Sequence, residues 1–201
     1  MRLINGIRVL LAGIAMSGWM AALAASATAQ DAPDTQALWG RLAQGGHAAL
    51  MRHAIAPGTG DPDNFVMEDC NTQRNLSSEG REQARTIGEA FRQHNVGVSA
   101  VYSSQWCRAL DTARLLELGE VEPLPALNSF FRQREREAEQ TQALEQRLLE
   151  IAAGETWVLV THQVNITALT GVFPRSGEIV VVRPDATTGS LIVVGRLMPA
   201  D

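Results

Sequence analysis

Residues 156–171 read TWVLVTHQVNITALTG. The first six, Thr156–Thr161, are β-branched or apolar and carry no charge, the composition of a strand buried on both faces of a sheet. Residues 162–171 then turn into a helix. A buried strand running straight into a helix is the repeating step of α/β domains, and the step recurs upstream. His47–Arg52 (HAALMR) is a short, mostly apolar run that reads as a buried strand. Residues 54–75 are rich in Pro, Gly, Asp and Asn and form a long loop, of a length that in a compact domain usually serves function. Leu76-Ser77-Ser78-Glu79-Gly80 opens a helix that Ser77 or Ser78 can cap. Ala84, Ile87, Ala90 and Phe91 recur along it at helical spacing until 95–97.

Residues 98–102 form a second strand, ended by Ser103-Ser104. A helix over 106–118 follows, with Ala109, Ala113 and Leu116 on one face. A third short strand lies within 119–125, and the charged stretch 131–150 is helix-forming. Ahead of the first strand, a short helix over 35–43 is broken by Gly45-Gly46. Two last strands, 178–182 and 190–196, flank a turn at 184–189. Strands alternating with helices predict a three-layer α/β/α sandwich around a largely parallel central sheet. The 201 residues suffice for one such domain.

Arg2 and Arg8 are the only charges in the first 29 residues, and residues 9–29 are apolar or small. A basic start, an apolar middle and a small-residue end are the layout of a secretory signal peptide. Ala25-Ser26-Ala27 and Ala27-Thr28-Ala29 both fit the cleavage rule, and polar Gln30 and Asp31 favour the second. The expected organisation is a signal peptide at 1–29 and one domain at 30–201, delivered to the periplasm with no stable membrane span after cleavage. The alternative is a retained anchor, since the run approaches the roughly 20 residues that cross a bilayer. The small residues after Trp19 suit a peptidase better.

The chain holds 17 basic and 22 acidic residues, a net charge of −5. Without Arg2 and Arg8 the balance is 15 against 22, or −7. An acidic protein is poorly suited to non-specific nucleic-acid binding. Every basic residue is Arg; there is no Lys. That excludes Schiff-base chemistry and a P-loop lysine. Phosphate binding is left to Arg, His and backbone N–H groups. No H-E-x-x-H, C-x-x-C or clustered-carboxylate pattern occurs, so neither a metal nor another cofactor is expected. Cys70 and Cys107 are the two cysteines, an even count that in an exported chain suggests a disulfide.

Three segments place a basic or imidazole group just after a predicted strand: Leu50-Met51-Arg52-His53-Ala54, Tyr102-Ser103-Ser104-Gln105-Trp106-Cys107-Arg108, and Val160-Thr161-His162-Gln163. Ligands of open α/β sheets bind at the carboxyl ends of strands. Parallel strands would bring Arg52, His53, Arg108 and His162 to one rim, a cationic site for a dianionic phosphate. His47 and His94 lie outside these segments and read as structural or surface residues.

Arg52-His53-Ala54 after the first strand, Ser103-Ser104 with Arg108 at a helix start, and Thr161-His162 after a hydrophobic strand resemble the histidine phosphatase superfamily, of phosphoglycerate mutase-like fold. Leu76 to Ala84 looks like that family's L-S/T-x-x-G-x-x-Q-A helix. The matches span roughly 47–171 and point to an exported, single-domain phosphatase branch. The resemblance implies that His53 attacks phosphorus and that water then cleaves the phosphohistidine. Arg52 and Arg108 would grip the non-bridging oxygens, and His162 would stabilise the transition state. Asn71 and Arg74 fall where further substrate contacts lie in the family. A Cys70–Cys107 bridge would tie the long loop beside Arg108.

The sequence departs from the family pattern twice. Ala54 stands where Gly is usual. Gln163 follows the second His, where one branch carries the Asp that protonates the leaving group; the other branch's Glu has no clear match near Asn128 to Arg132. Asp61, Asp63, Glu68, Asp69, Glu135 and Glu137 remain candidate donors. Residues 57–61 read as a plain turn cluster in preference to a phosphate cradle. Arg132, Arg134 and Arg136 read as a solvated face in preference to a substrate rim. The expected function is hydrolysis of a small phosphorylated substrate, for which export suggests an envelope sugar phosphate. A phosphomutase of the same fold and a non-catalytic binder of anionic sugars or lipids are the alternatives.

Overall fold

The structure, a computed structural model, describes residues 34–199. The expected signal peptide at 1–29 lies outside them. Among the described residues no helix is long and apolar enough to cross a membrane. The strands are β1 (His47–Arg52), β2 (Ala100–Ser103), β3 (Val121–Pro123), β4 (Thr156–Thr161), β5 (Ile179–Asp185) and β6 (Ser190–Leu197). They form one sheet in the order β3-β2-β4-β1-β5-β6. The first four strands of that order run parallel; β5 is antiparallel to β1, and β6 to β5.

The period of two along each strand sends alternate side chains to opposite faces. Ala49 and Met51 of β1, with Val158 and Val160 of β4, join one core. That core is covered by α1 (Thr35–Gln44), α2 (Ser78–Gln93) and α3 (Cys107–Leu115), through Leu38, Leu42, Phe91 and Leu116 at its end. Ala48 and Leu50, with Trp157 and Leu159, face the other way. They pack under α4 (Glu137–Leu148) and α5 (Gln163–Thr170), against Leu144, Leu148 and Ile166. This is the three-layer α/β/α architecture. Burying each of these large side chains contributes about 1.5–3 kcal/mol. Both β1 and β4 are covered on both faces, which is why they read as unbroken apolar runs.

Ser77 is the residue that caps α2, its hydroxyl accepting from the Gly80 N–H at 3.1 Å. The helix expected across 131–150 starts only at Glu137, after a short 3-10 turn, Arg134–Arg136. Phe130 is fully buried and pins the chain, whereas Phe131 is 45% exposed, so 131–136 has no apolar stripe to lay on the core. Pro184 and Asp185, expected in a turn, extend β5. Pro184 lies beyond the β1 pairing, which stops at Val182, so its missing N–H breaks no bond to β1. His47 is buried with Nδ1 on the Gly45 carbonyl at 2.7 Å, and His94 stacks on Trp39. Both are structural.

Candidate active site

The parallel strands β1, β2 and β4 end at one edge of the sheet, so Arg52, His53, Ser104 and His162 arrive together. The chain leaves β1 for β2 on one side and leaves β4 for β5 on the other, a topological switch point. A cavity of about 470 Å3 opens there, with Arg52, His53, Arg74, Arg108 and His162 in its walls.

His53 is set from both sides of its backbone. Its N–H donates to the Thr161 carbonyl at 2.9 Å, and the next N–H, of Ala54, donates to Thr112 Oγ1 at 3.1 Å. The ring's Nδ1 is 2.8 Å from the Ala54 carbonyl oxygen. A carbonyl only accepts, so Nδ1 carries the proton and the lone pair sits on Nε2. Arg108 Nε donates toward that Nε2 at 3.3 Å. The His162 ring lies 5.4 Å away. Its Nε2 is 2.8 Å from Ser104 Oγ. Asn128 Oδ1 accepts from the Gln105 N–H at 2.8 Å, which leaves the Ser104 hydroxyl to donate to that oxygen and to accept from His162. Burial first, and then the nearby guanidinium groups, hold both imidazoles well below the usual histidine pKa. Both rings are neutral at pH 7.

Three guanidinium groups surround them. Arg52 donates through Nη1 to the Pro174 carbonyl at 3.0 Å, and its Nε is buried without a hydrogen-bond partner. Arg74 holds the carbonyls of Gly60, at 2.8 Å, and Ala56. Burial and the neighbouring Arg108 lower its pKa to about 10, so it stays charged at neutral pH. Arg108, 3% exposed at the start of α3, presents its fork to Asp61. Nη1 donates to Oδ1 at 2.6 Å and Nη2 to Oδ2 at 3.2 Å. Trp106 Nε1 and the Arg74 N–H also donate to that carboxylate, at 3.0 and 3.1 Å. Burial pushes the Asp61 pKa up, and the Arg108, Arg74 and Trp106 contacts together bring it below the usual carboxylate value.

Residues 49–143 match the family model of the histidine phosphatase superfamily, branch 1. Over these residues the chain is similar to that superfamily. Solved structures agree in fold. The protein histidine phosphatase SixA complexed with tungstate is 19% identical, covers 76% of this chain and 97% of its own, and has a TM-score of 0.52. YhfR of Bacillus stearothermophilus is 19% identical over 77% and 99% of the two chains, with a TM-score of 0.52. A mycobacterial glucosyl-3-phosphoglycerate phosphatase is 18% identical over 73% and 96%, with a TM-score of 0.56. No curated protein matches the chain.

Within this histidine phosphatase fold, Arg52, His53, Arg108 and His162 come together as a group, and Arg74 joins them. Asn71 does not. It sits in a 3-10 turn, Cys70–Thr72, where Asp69 Oδ1 accepts from both its N–H and its Nδ2 at 3.0 Å. That cap turns Asn71 to solvent, outside the cavity walls. Cys70 and Cys107 are joined. Of the six candidate donors, Asp61 and Asp63 line the cavity; Glu68, Asp69, Glu135 and Glu137 do not. The glycine-rich stretch 58–61 bends through Gly58 and Gly60 and forms part of the cavity wall. Arg132 and Arg136 also line it; with Arg134 they are exposed, Arg132 pairing with Asp63 at 3.3 Å and Arg134 with Glu137 at 3.1 Å, as a solvated face requires. Sequence reasoning missed Ser104 and Asn128, which orient the His162 ring, and Thr112, which holds the Ala54 N–H beside His53. No local pattern marks a hydroxyl or amide that acts through the ring of another residue.

Proposed function

We propose that this protein is a metal-independent phosphatase that hydrolyses a phosphomonoester or phosphohistidine through a phosphohistidine on His53. One observation carries the reading: a neutral His53 with its lone pair on Nε2 is ringed by Arg52, Arg74, Arg108 and His162. Three positive charges in a largely buried site are matched to a phosphoryl dianion. Guanidinium forks bind its planar equatorial oxygens in the transition state better than in the ground state. His53 Nε2 attacks in line, and its Nδ1–H on the Ala54 carbonyl stabilises the imidazolium that forms. Water then attacks phosphorus and frees the ring. Burial first, and then the arginine charges, hold the His162 pKa down; the incoming dianion offsets the arginine part and shifts His162 toward protonation.

The cavity is far larger than a phosphate group, which leaves room for an organic leaving group. Phe65 stacks on Trp106 with ring centroids 5.1 Å apart, and Phe131, Arg132 and Arg136 lie beyond. An aromatic wall beside cations suits a phosphorylated sugar with further negative charge, the substrate class we put forward. The signal-peptide pattern and the Cys70–Cys107 bridge support export to the periplasm, where disulfides persist. Cell fractionation with N-terminal sequencing checks this, with Gln30 as the expected first residue.

The purified protein should release orthophosphate from an aryl phosphate in the presence of a chelator. His53→Asn should lower turnover by about 10^4-fold or more while retaining orthophosphate affinity. Unchanged turnover in that variant would refute the mechanism. Delivery of the phosphate to an added alcohol at the expense of water would indicate a mutase.

A further inference from the structure

Among the described residues the cavity walls hold two carboxylates, Asp61 and Asp63. Asp63 is fully exposed and pairs with Arg132 at 3.3 Å on the rim. Asp61 is 14% exposed and lies across Arg108, whose Nε is 3.3 Å from the nucleophilic nitrogen of His53. It is held from three directions, by the Arg108 fork, the Trp106 indole and the Arg74 amide. Its loop bends through Gly58 and Gly60, at φ 92° and 72°, and Arg74 clasps that bend through the Gly60 carbonyl. None of this is needed to build the core. The construction brings one carboxylate to the place where a phosphoryl group would meet Arg108.

We infer that Asp61 is the proton donor to the leaving-group oxygen, kept as the counter-ion of Arg108 until a phosphoryl group takes the guanidinium over. The inference rests on the phosphatase reading and adds the group that completes it. A phosphoryl dianion at His53 Nε2 meets the Nε side of Arg108 and competes with the carboxylate for Nη2, and a dianion outcompetes a carboxylate for a shared donor. The displaced carboxylate then faces that negative charge at short range and takes up a proton. In the first step the His53 Nε2 lone pair forms the N–P bond, the P–O bond to the leaving group breaks, and the Asp61 proton passes to the departing oxygen. In the second, Asp61 removes a proton from the water that attacks phosphorus. The N–P bond breaks, orthophosphate leaves, and both side chains regain their starting forms. Gln163, at the position after the second His, has no acidic proton to give.

The test reads kcat/KM against leaving-group basicity, with 2,4-dinitrophenyl, aryl and alkyl phosphates as probes. With the donor in place the wild-type rate depends weakly on leaving group. Asp61→Asn should lose about 100-fold or more on alkyl phosphate and almost nothing on dinitrophenyl phosphate, whose oxygen leaves without a proton. Asp61→Glu should recover part of the alkyl activity. Removal of the competing carboxylate should also tighten orthophosphate inhibition of Asp61→Asn by about tenfold. An equal loss on all substrates, or weaker orthophosphate binding, overturns the inference, because either means that Asp61 only orients Arg108. A steep dependence on leaving group in the wild-type protein overturns it as well, whether or not the variant folds. If wild-type protein fails to hydrolyse even dinitrophenyl phosphate, the phosphatase reading itself fails, a separate and recognisable result.

Discussion

At the residue scale, the site runs on two imidazoles kept neutral. His53 and His162 have pKa values depressed by burial and by the surrounding arginines. Between the folded value and the unfolded value near 6.5, the unfolded chain therefore binds more protons than the folded one. Stability must then rise with pH across that window. The contribution is complete above pH 6.5 and is lost as pH falls below it, by up to about 1.4 kcal/mol per pH unit for each ring. Thermal melts at pH 7.5 and 5.5 should show a lower Tm at the acid end, and replacing both rings by Asn should flatten the difference. Equal slopes in the two proteins would mean that the rings are not neutral in the fold. The identities of Arg52, His53, Arg108 and His162 were legible because each directly follows or heads a regular element. The tautomer of His53 was not legible, since it depends on a carbonyl whose direction only the folded backbone sets.

At the element scale, α2 shows how closely the helices sit on their neighbours. A Cβ on Gly88 would come 2.0 Å from the Leu116 carbonyl oxygen, a backbone atom that cannot turn aside. A Cβ on Gly40 of α1 would meet nothing within 4 Å. Alanine improves helix propensity by about 1 kcal/mol at either position. Gly40→Ala should therefore stabilise the protein by up to about 1 kcal/mol, whereas Gly88→Ala should destabilise it by roughly 1–3 kcal/mol through overpacking. Urea unfolding of the pair checks both signs. The strands and helices themselves were readable from periodicity, because β1 and β4 are buried on both faces and α2 carries a clear apolar stripe. The start of α4 was misread because the alternating Arg and Glu of 132–137 satisfy helix propensity equally well inside or outside a helix. The anchoring of Phe130 decides the matter.

At the scale of the whole molecule, the Cys70–Cys107 bridge joins the long loop to the first residue of α3, across a separation of 37 residues. A closed loop of that length restricts the unfolded chain enough to contribute about 2–4 kcal/mol. Replacing both cysteines by Ala should lower Tm accordingly. KM should rise more than kcat falls, because the bridge holds Arg108 and the loop bearing Arg74 in register. An unchanged KM would show that the loop is placed without it. The sequence by itself determined the layers, the largely parallel sheet and the meeting of two arginines and two histidines at one edge. These follow from short-range periodicity and from the rule that parallel strands end together. Only the tertiary structure decided that Asp61 lies on Arg108, that Ser104 and Asn128 orient His162, and that Asn71 faces solvent. Those arrangements depend on the path of loops, and loops are directed by contacts between residues far apart in the chain, which no local pattern records.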